Sequence, residues 1–148
     1  MMTAINNLRE VQRRCLNYQA LDPELADWMA QSLQAFFSRQ CSSVDMAFGL
    51  SAPKGGVPWW LEEGIRTRNN AIRNLVNLTC PEQSPTAQAR RVYKLSVRYA
   101  ATRWRQDRFR TEMPDWYAGT AREFLWQAFR SGAAMPVSER HLRGILGR

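Results

Sequence analysis

Apolar residues along this chain recur every three or four positions and almost nowhere at every second one. That period belongs to helices with one buried face, and it leaves little material for a sheet. Ile5, Leu8, Val11, Cys15 and Tyr18 form a first stripe. Leu25, Trp28, Met29, Leu33, Phe36 and Phe37 form a second. The second is announced by Asp22 as a helix cap, Pro23 at the first helical position and Glu24 in the first turn. Ser42 is placed to cap a short helix holding Val44, Met46, Ala47 and Phe48, with Gly49 as its stop. The pattern predicts an all-α fold, a helical bundle of about six helices.

The stretch SAPKGGVP, residues 51–58, holds two prolines and two glycines in eight positions and is the plainest linker in the chain. It divides an N-terminal helical segment, 1–50, from a helical core, 58–148, with 51–57 as the linker. A helix resumes near Pro58, with Leu61, Ile65, Ile72, Leu75 and Val76 on one side. Arg66, Arg68, Arg73 and the asparagines 69, 70, 74 and 77 lie mostly elsewhere on it. Trp59 and Trp60 at its start read as a hydrophobic plug between the halves, because tryptophan is costly to leave in water. Trp28, Phe36, Trp59 and Trp60 together form a candidate interaction surface for dimerisation or for a partner.

Ser84 followed by Pro85 opens what reads as the longest helix, running to about Arg110. At about 100° per residue, Lys94, Arg98 and Arg105 fall close to Arg91, with Arg90 and Arg108 just beyond. Ala89, Val92, Tyr93, Ser96, Tyr99, Ala100 and Trp104 take the opposite side as core. Arg103 and Arg110 project near the apolar side, within reach of Asp107 or Glu112. Met113 and Pro114 end this helix, and Asp115 helps open the next. Tyr117, Ala121, Phe124, Leu125, Ala128 and Phe129 are its buried stripe, flanked by Trp116 and Trp126. Gly132 stops it, and Ser138 caps a terminal helix whose Leu142, Ile145 and Leu146 face inward.

Charge is distributed far less evenly than apolarity. The chain carries a net +8. Up to Ser84 there are eight Lys/Arg and eight Asp/Glu, a net of zero; the last 64 residues hold thirteen basic and five acidic residues, the whole excess. Nearly all of it is arginine, the side chain that forks onto phosphate and guanine. An ordinary solvated helix face mixes acids with bases. The face with Arg90, Arg91, Lys94, Arg98, Arg105 and Arg108 has no acid, so its charges repel one another unless an anion sits against them. Together with Arg140 and Arg143 of the terminal helix, these residues are the candidate nucleic-acid contacts: the arc along phosphates, the terminal pair at base edges.

Other classes are less well supplied. Cys15, Cys41 and Cys80 are odd in number and far apart, which argues for buried free thiols over disulfides or a zinc ribbon. No nucleophile–base pair, glycine-rich phosphate loop or metal-spaced cluster is present, so neither catalysis nor a cofactor is expected. His141, the one histidine, reads as a surface residue. No apolar run approaches a membrane span and no signal-peptide pattern opens the chain, so a cytoplasmic location without membrane attachment is expected. The expected partner is DNA, with RNA as its near alternative. The rival is a protein-interaction or adaptor role, as a homodimer or against an acidic protein.

The last three expected helices, with a glycine-containing turn before the final one, resemble the helix-turn-helix units of transcriptional regulators and phage proteins. That resemblance implies that the helix capped by Ser138 is the reading helix, with Glu139, Arg140 and Arg143 outward. The connector is longer than that motif's, and the final helix is short. Taken whole, the chain resembles small helical proteins of bacterial and prophage type, a likeness that brings no activity with it.

Overall fold

A computed structural model describes residues 3–147. Those residues form eight α-helices and one 3-10 turn, with no strand among them. Two of the helices are single turns of four residues, which leaves six of eight residues or more. The fold is all-α, close to the bundle of about six helices that the periodicity predicts. The chain divides into two compact units, Met1–Trp59 and Trp60–Arg148.

In the first unit, α1 spans Ala4–Leu16 and is capped by the Thr3 hydroxyl, which accepts from the Asn6 amide. The helix stops before its apolar stripe does. Tyr18 lies past the end at φ 54°, in the left-handed region, and is 98% exposed. Cys15 is exposed as well, so the expectation of three buried thiols fails there; Cys80 is buried and Cys41 partly so. Arg14 ties the turn together by donating to the Ala20 carbonyl and to both carboxylate oxygens of Asp22, at 2.9 and 2.8 Å. Asp22 does precede α2 (Pro23–Phe37), but its side chain makes no capping bond. A two-pronged charge-assisted pair outcompetes a single amide donor for that carboxylate. Glu10 accepts from Arg13 and Arg14, and those guanidinium groups hold its carboxyl down at about 2.

Leu25 and Ser32 are the buried residues of α2, whereas Phe37 is exposed. Trp28 packs on Phe48 with ring centroids 5.4 Å apart. Phe48 directly follows α3 (Val44–Ala47), whose cap is Ser43 rather than the expected Ser42. Ser42 instead points its hydroxyl at the Met46 sulfur. Gly49 ends the segment at φ 72°, a conformation that suits glycine.

The second unit contains α4 (Trp59–Thr79, from Trp60 onward), α5 (Pro85–Ala101), α6 (Trp104–Asp107), the 3-10 turn Asp115–Tyr117, α7 (Ala121–Phe129) and α8 (Glu139–Leu146). Ser84 and Ser138 cap α5 and α8 as expected, accepting from the Ala87 and His141 amides. One core joins four of these helices: Ile72, Leu75 and Val76 of α4, Ala89, Val92 and Tyr99 of α5, Leu125 of α7, and Leu142 and Ile145 of α8. Each residue sits at the inward phase of its helix, and burying such aliphatic side chains stabilises by about 1.5–3 kcal/mol apiece. Trp60 is 57% exposed and so does not serve as the buried plug expected of the tryptophan pair.

The long helix expected to reach Arg110 breaks at Thr102, where φ −118° and ψ −92° leave the helical region. The cause lies ahead of the break. The Asp107 carboxylate, 2% exposed, accepts from the Tyr99 and Tyr117 hydroxyls, each at 2.8 Å. Eight residues of straight helix would carry Asp107 about 12 Å along the axis from Tyr99. Only a reversal brings the two into contact. Trp104 turns inward with it, 6.0 Å from the Tyr99 ring and 5.3 Å from Phe129. Arg110 reaches the other Asp107 oxygen at 3.4 Å, as its position near the apolar side suggested.

Gly64 lies inside α4, where glycine ordinarily costs about 1 kcal/mol relative to alanine. Its backbone runs against the connector after α7, and a Cβ there would stand 2.6 Å from the Ser131 carbonyl oxygen. The backbone contact outweighs helix propensity. Gly64→Ala should therefore destabilise the protein by about 1–3 kcal/mol, the usual cost of overpacking, instead of stabilising it. Urea unfolding of the variant beside the parent reads the sign.

Candidate nucleic-acid interface

Ala89, Val92, Ser96 and Tyr99 are the buried residues of α5, and they fix which way the helix faces. Arg90, Arg91, Lys94 and Arg98 are exposed on its remaining surface. The helix, PTAQARRVYKLSVRYAA, contains no acid. Arg91, Lys94 and Arg98 have no carboxylate partner among the described residues. They follow one another at intervals of three and four, so they line up over about 10 Å of helix. Like charges so spaced destabilise a helix by about 0.2–0.5 kcal/mol per pair. The row persists because the core on the opposite face holds the helix in place.

Arg90 stands apart from its neighbours. Its Nε lies 3.9 Å from a carboxylate oxygen of Glu139, in the first turn of α8. That acid from another helix partly neutralises one member of the expected face. Helix α8 packs against α5 through the shared core, with Leu142 and Ile145 inward and Arg140, His141 and Arg143 exposed. The basic surface of α5 and that of α8 therefore belong to one rigid packing unit.

Arg105 and Arg108 do not continue the row. The break at Thr102 places Arg105 on α6 and Arg108 just after it, so the expected single face of six charges over five turns becomes a row of four on α5 and a separate basic segment. In that segment Arg108 stacks over the Phe109 ring, 4.6 Å from its centroid, and Phe109 is 77% exposed. Trp116, expected to flank a buried stripe, is also exposed. An exposed ring with a guanidinium on one face, as at Phe109, leaves its other face for stacking an unpaired base. Phe109 falls within a stretch whose sequence reads as continuous helix, which conceals its exposure. Tyr93, Tyr99 and Trp104 are core or partly buried, as their phase on the helix suggests.

Of the candidate interaction residues, Trp28 and Phe36 are partly buried in the first unit, and Trp59 is partly buried at its end. The charge excess follows the division into units. Met1–Trp59 carries five basic and five acidic residues, whereas Trp60–Arg148 carries sixteen and eight, a net of +8.

Arg68 is the residue the sequence hid most effectively. It reads as surface on α4 but is only 7% exposed. Its guanidinium donates to the Asn69 side-chain oxygen and, at 2.6 Å, to the Ala134 carbonyl. Burial lowers its pKa from the ordinary arginine value. Among the described residues no His, Cys, Asp and Glu gather in a group of three that would hold a metal ion, and no helix is long and apolar enough to cross a membrane. Compared with known proteins, the chain matches no family model, no curated protein and no solved structure.

Proposed function

We propose that the second unit binds nucleic acid, duplex DNA in the first place, without catalysing a reaction. One observation carries this reading: Arg91, Lys94 and Arg98 form an exposed row on α5 with no carboxylate among the described residues to satisfy them. A phosphate backbone supplies negative charge at regular intervals, and laying cations along it releases condensed counterions. The α5 row takes the phosphates. Arg140 and Arg143, exposed on α8 beside it, are the side chains available for base edges, with the Ser138 cap and the inward Leu142 and Ile145 holding that helix. This resembles the work of a reading helix, although the connector from Arg130 to Ser138 is longer than a helix-turn-helix allows. The open Phe109 and Trp116 rings add a way to hold single strands, so RNA or melted DNA is the second substrate to try.

The experiment is an equilibrium titration of the purified protein into labelled duplex DNA, duplex RNA and an acidic protein of similar net charge. Saturable binding to DNA at moderate salt, stronger than to the acidic protein, supports the reading. Binding to the acidic protein alone replaces it with the adaptor role.

A further inference from the structure

A groove of about 650 Å³, lined by none of the α5 row's residues, opens between α4 and α8. Its size is that of ordinary small-molecule sites. Its polar lining is Arg68, Asn69 and Arg73 from α4, and Ser138, Arg140 and His141 at the start of α8. No carboxylate among the described residues lines it. Arg68 is nine-tenths buried, and every acceptor it meets is neutral. Arg73 likewise meets only neutral acceptors, the Asn70 side chain and the Ile145 carbonyl, both at 3.3 Å. Arg140 is exposed at the mouth and has no ion pair among the described residues.

A buried arginine ordinarily has a carboxylate against it, because a desolvated charge without a counter-ion is costly. Here three guanidinium groups line one cavity, and no carboxylate among the described residues pairs with them. We propose that this groove is a binding site for a phosphate monoester. Guanidinium forks match the tetrahedral oxygens two at a time, and a monoester near neutral pH carries close to two negative charges. One carboxylate would leave most of this positive charge unanswered. The partly apolar wall, Ile65 and Ile145, gives the esterified group a surface to rest on. Such a group comes either from a free phosphorylated small molecule or from the phosphorylated end of a nucleic-acid strand.

Calorimetric titration with adenosine 5′-monophosphate, inorganic phosphate and adenosine tests the site in the full chain, with thermal unfolding as a second readout. The nucleotide and inorganic phosphate should bind and raise the melting temperature, and adenosine should do neither. Arg73→Ala and Arg140→Ala should each weaken nucleotide binding by about tenfold, the worth of one charge-assisted contact. These variants make the test independent of whether Arg68→Met folds. Charge reversal of Arg91, Lys94 and Arg98 should leave nucleotide binding unchanged, which separates this site from the α5 phosphate row, Arg140 being common to the groove and to the proposed base contacts. Single strands with and without a 5′-phosphate then distinguish the sources. A preference for the phosphorylated end identifies the strand terminus, and equal affinity identifies the free small molecule. Absence of phosphate binding, equal binding of adenosine, indifference to Arg73 and Arg140, or loss of binding in the α5 variant would each overturn the proposal.

Discussion

The variant carrying Arg91→Glu, Lys94→Glu and Arg98→Glu should lose affinity for duplex DNA by about 100-fold or more while remaining folded. Three attractive phosphate contacts become repulsive ones, and charge-assisted contacts are worth enough each for the product to reach that size. The fold should tolerate the change. All three side chains are exposed and none holds a carboxylate among the described residues, so the stability shift expected is within about 0.5 kcal/mol. Circular dichroism and urea unfolding verify the fold, and a fluorescence-anisotropy titration reads the affinity. Arg90→Glu alone should do less, because Glu139 already lies 3.9 Å from Arg90. Full affinity in the triple variant would move the interface off α5.

Asp107→Ala should destabilise the second unit by about 3 kcal/mol, from the stranding of two buried hydroxyls. The Tyr99 and Tyr117 hydroxyls both donate to one Asp107 oxygen, and both residues are buried, so neither has water to turn to. The loss should be larger than for Tyr99→Phe, which removes one donor and leaves the carboxylate with another. The same triad sets a limit at high pH. Burial and then the bond to Asp107 hold both tyrosine pKa values above the ordinary value of 10.0. In the unfolded chain they ionise near that value. The stabilisation from the raised pKa values is thus fully present below about pH 10 and is lost as pH climbs past it. Of the four tyrosines, those two should ionise only as the protein unfolds in an ultraviolet alkaline titration. Ionisation of all four in the folded state would contradict the buried triad.

What the sequence made legible was whatever depends on neighbours along the chain. Ser84 with Pro85, and Ser138 alone, mark helix starts because a cap acts within three residues. The inward phase of Ile72, Leu75 and Val76, and of Leu142 and Ile145, follows from spacing alone. The acid-free run of bases on α5 was visible for the same reason. What stayed hidden depends on residues far apart in the chain meeting in space. Nothing in YAATRWRQD signals a stop, since the break at Thr102 exists to let Asp107 meet Tyr99 and Tyr117. Arg68 looks like any surface arginine until the Ala134 carbonyl, 66 residues on, arrives to receive it. Gly64 looks like a weak point in a helix until the connector at Ser131 presses on it. The groove between α4 and α8 combines both kinds of hidden information. Its arginines come from two segments some 70 residues apart, as the bond from Arg73 to the Ile145 carbonyl shows.

The proposed function is electrostatic: a polyanion would supply the counter-charge that the α5 row lacks among the described residues. The slope of log affinity for duplex DNA against log salt concentration tests this most directly, because each neutralised phosphate contributes about −0.9 to it. For Arg91, Lys94 and Arg98 at the phosphates the parent protein should show a slope of about −3 or steeper, and the triple variant should give up about that much of it. Affinity that holds constant as salt rises, or a slope that the triple substitution leaves untouched, would contradict the claim.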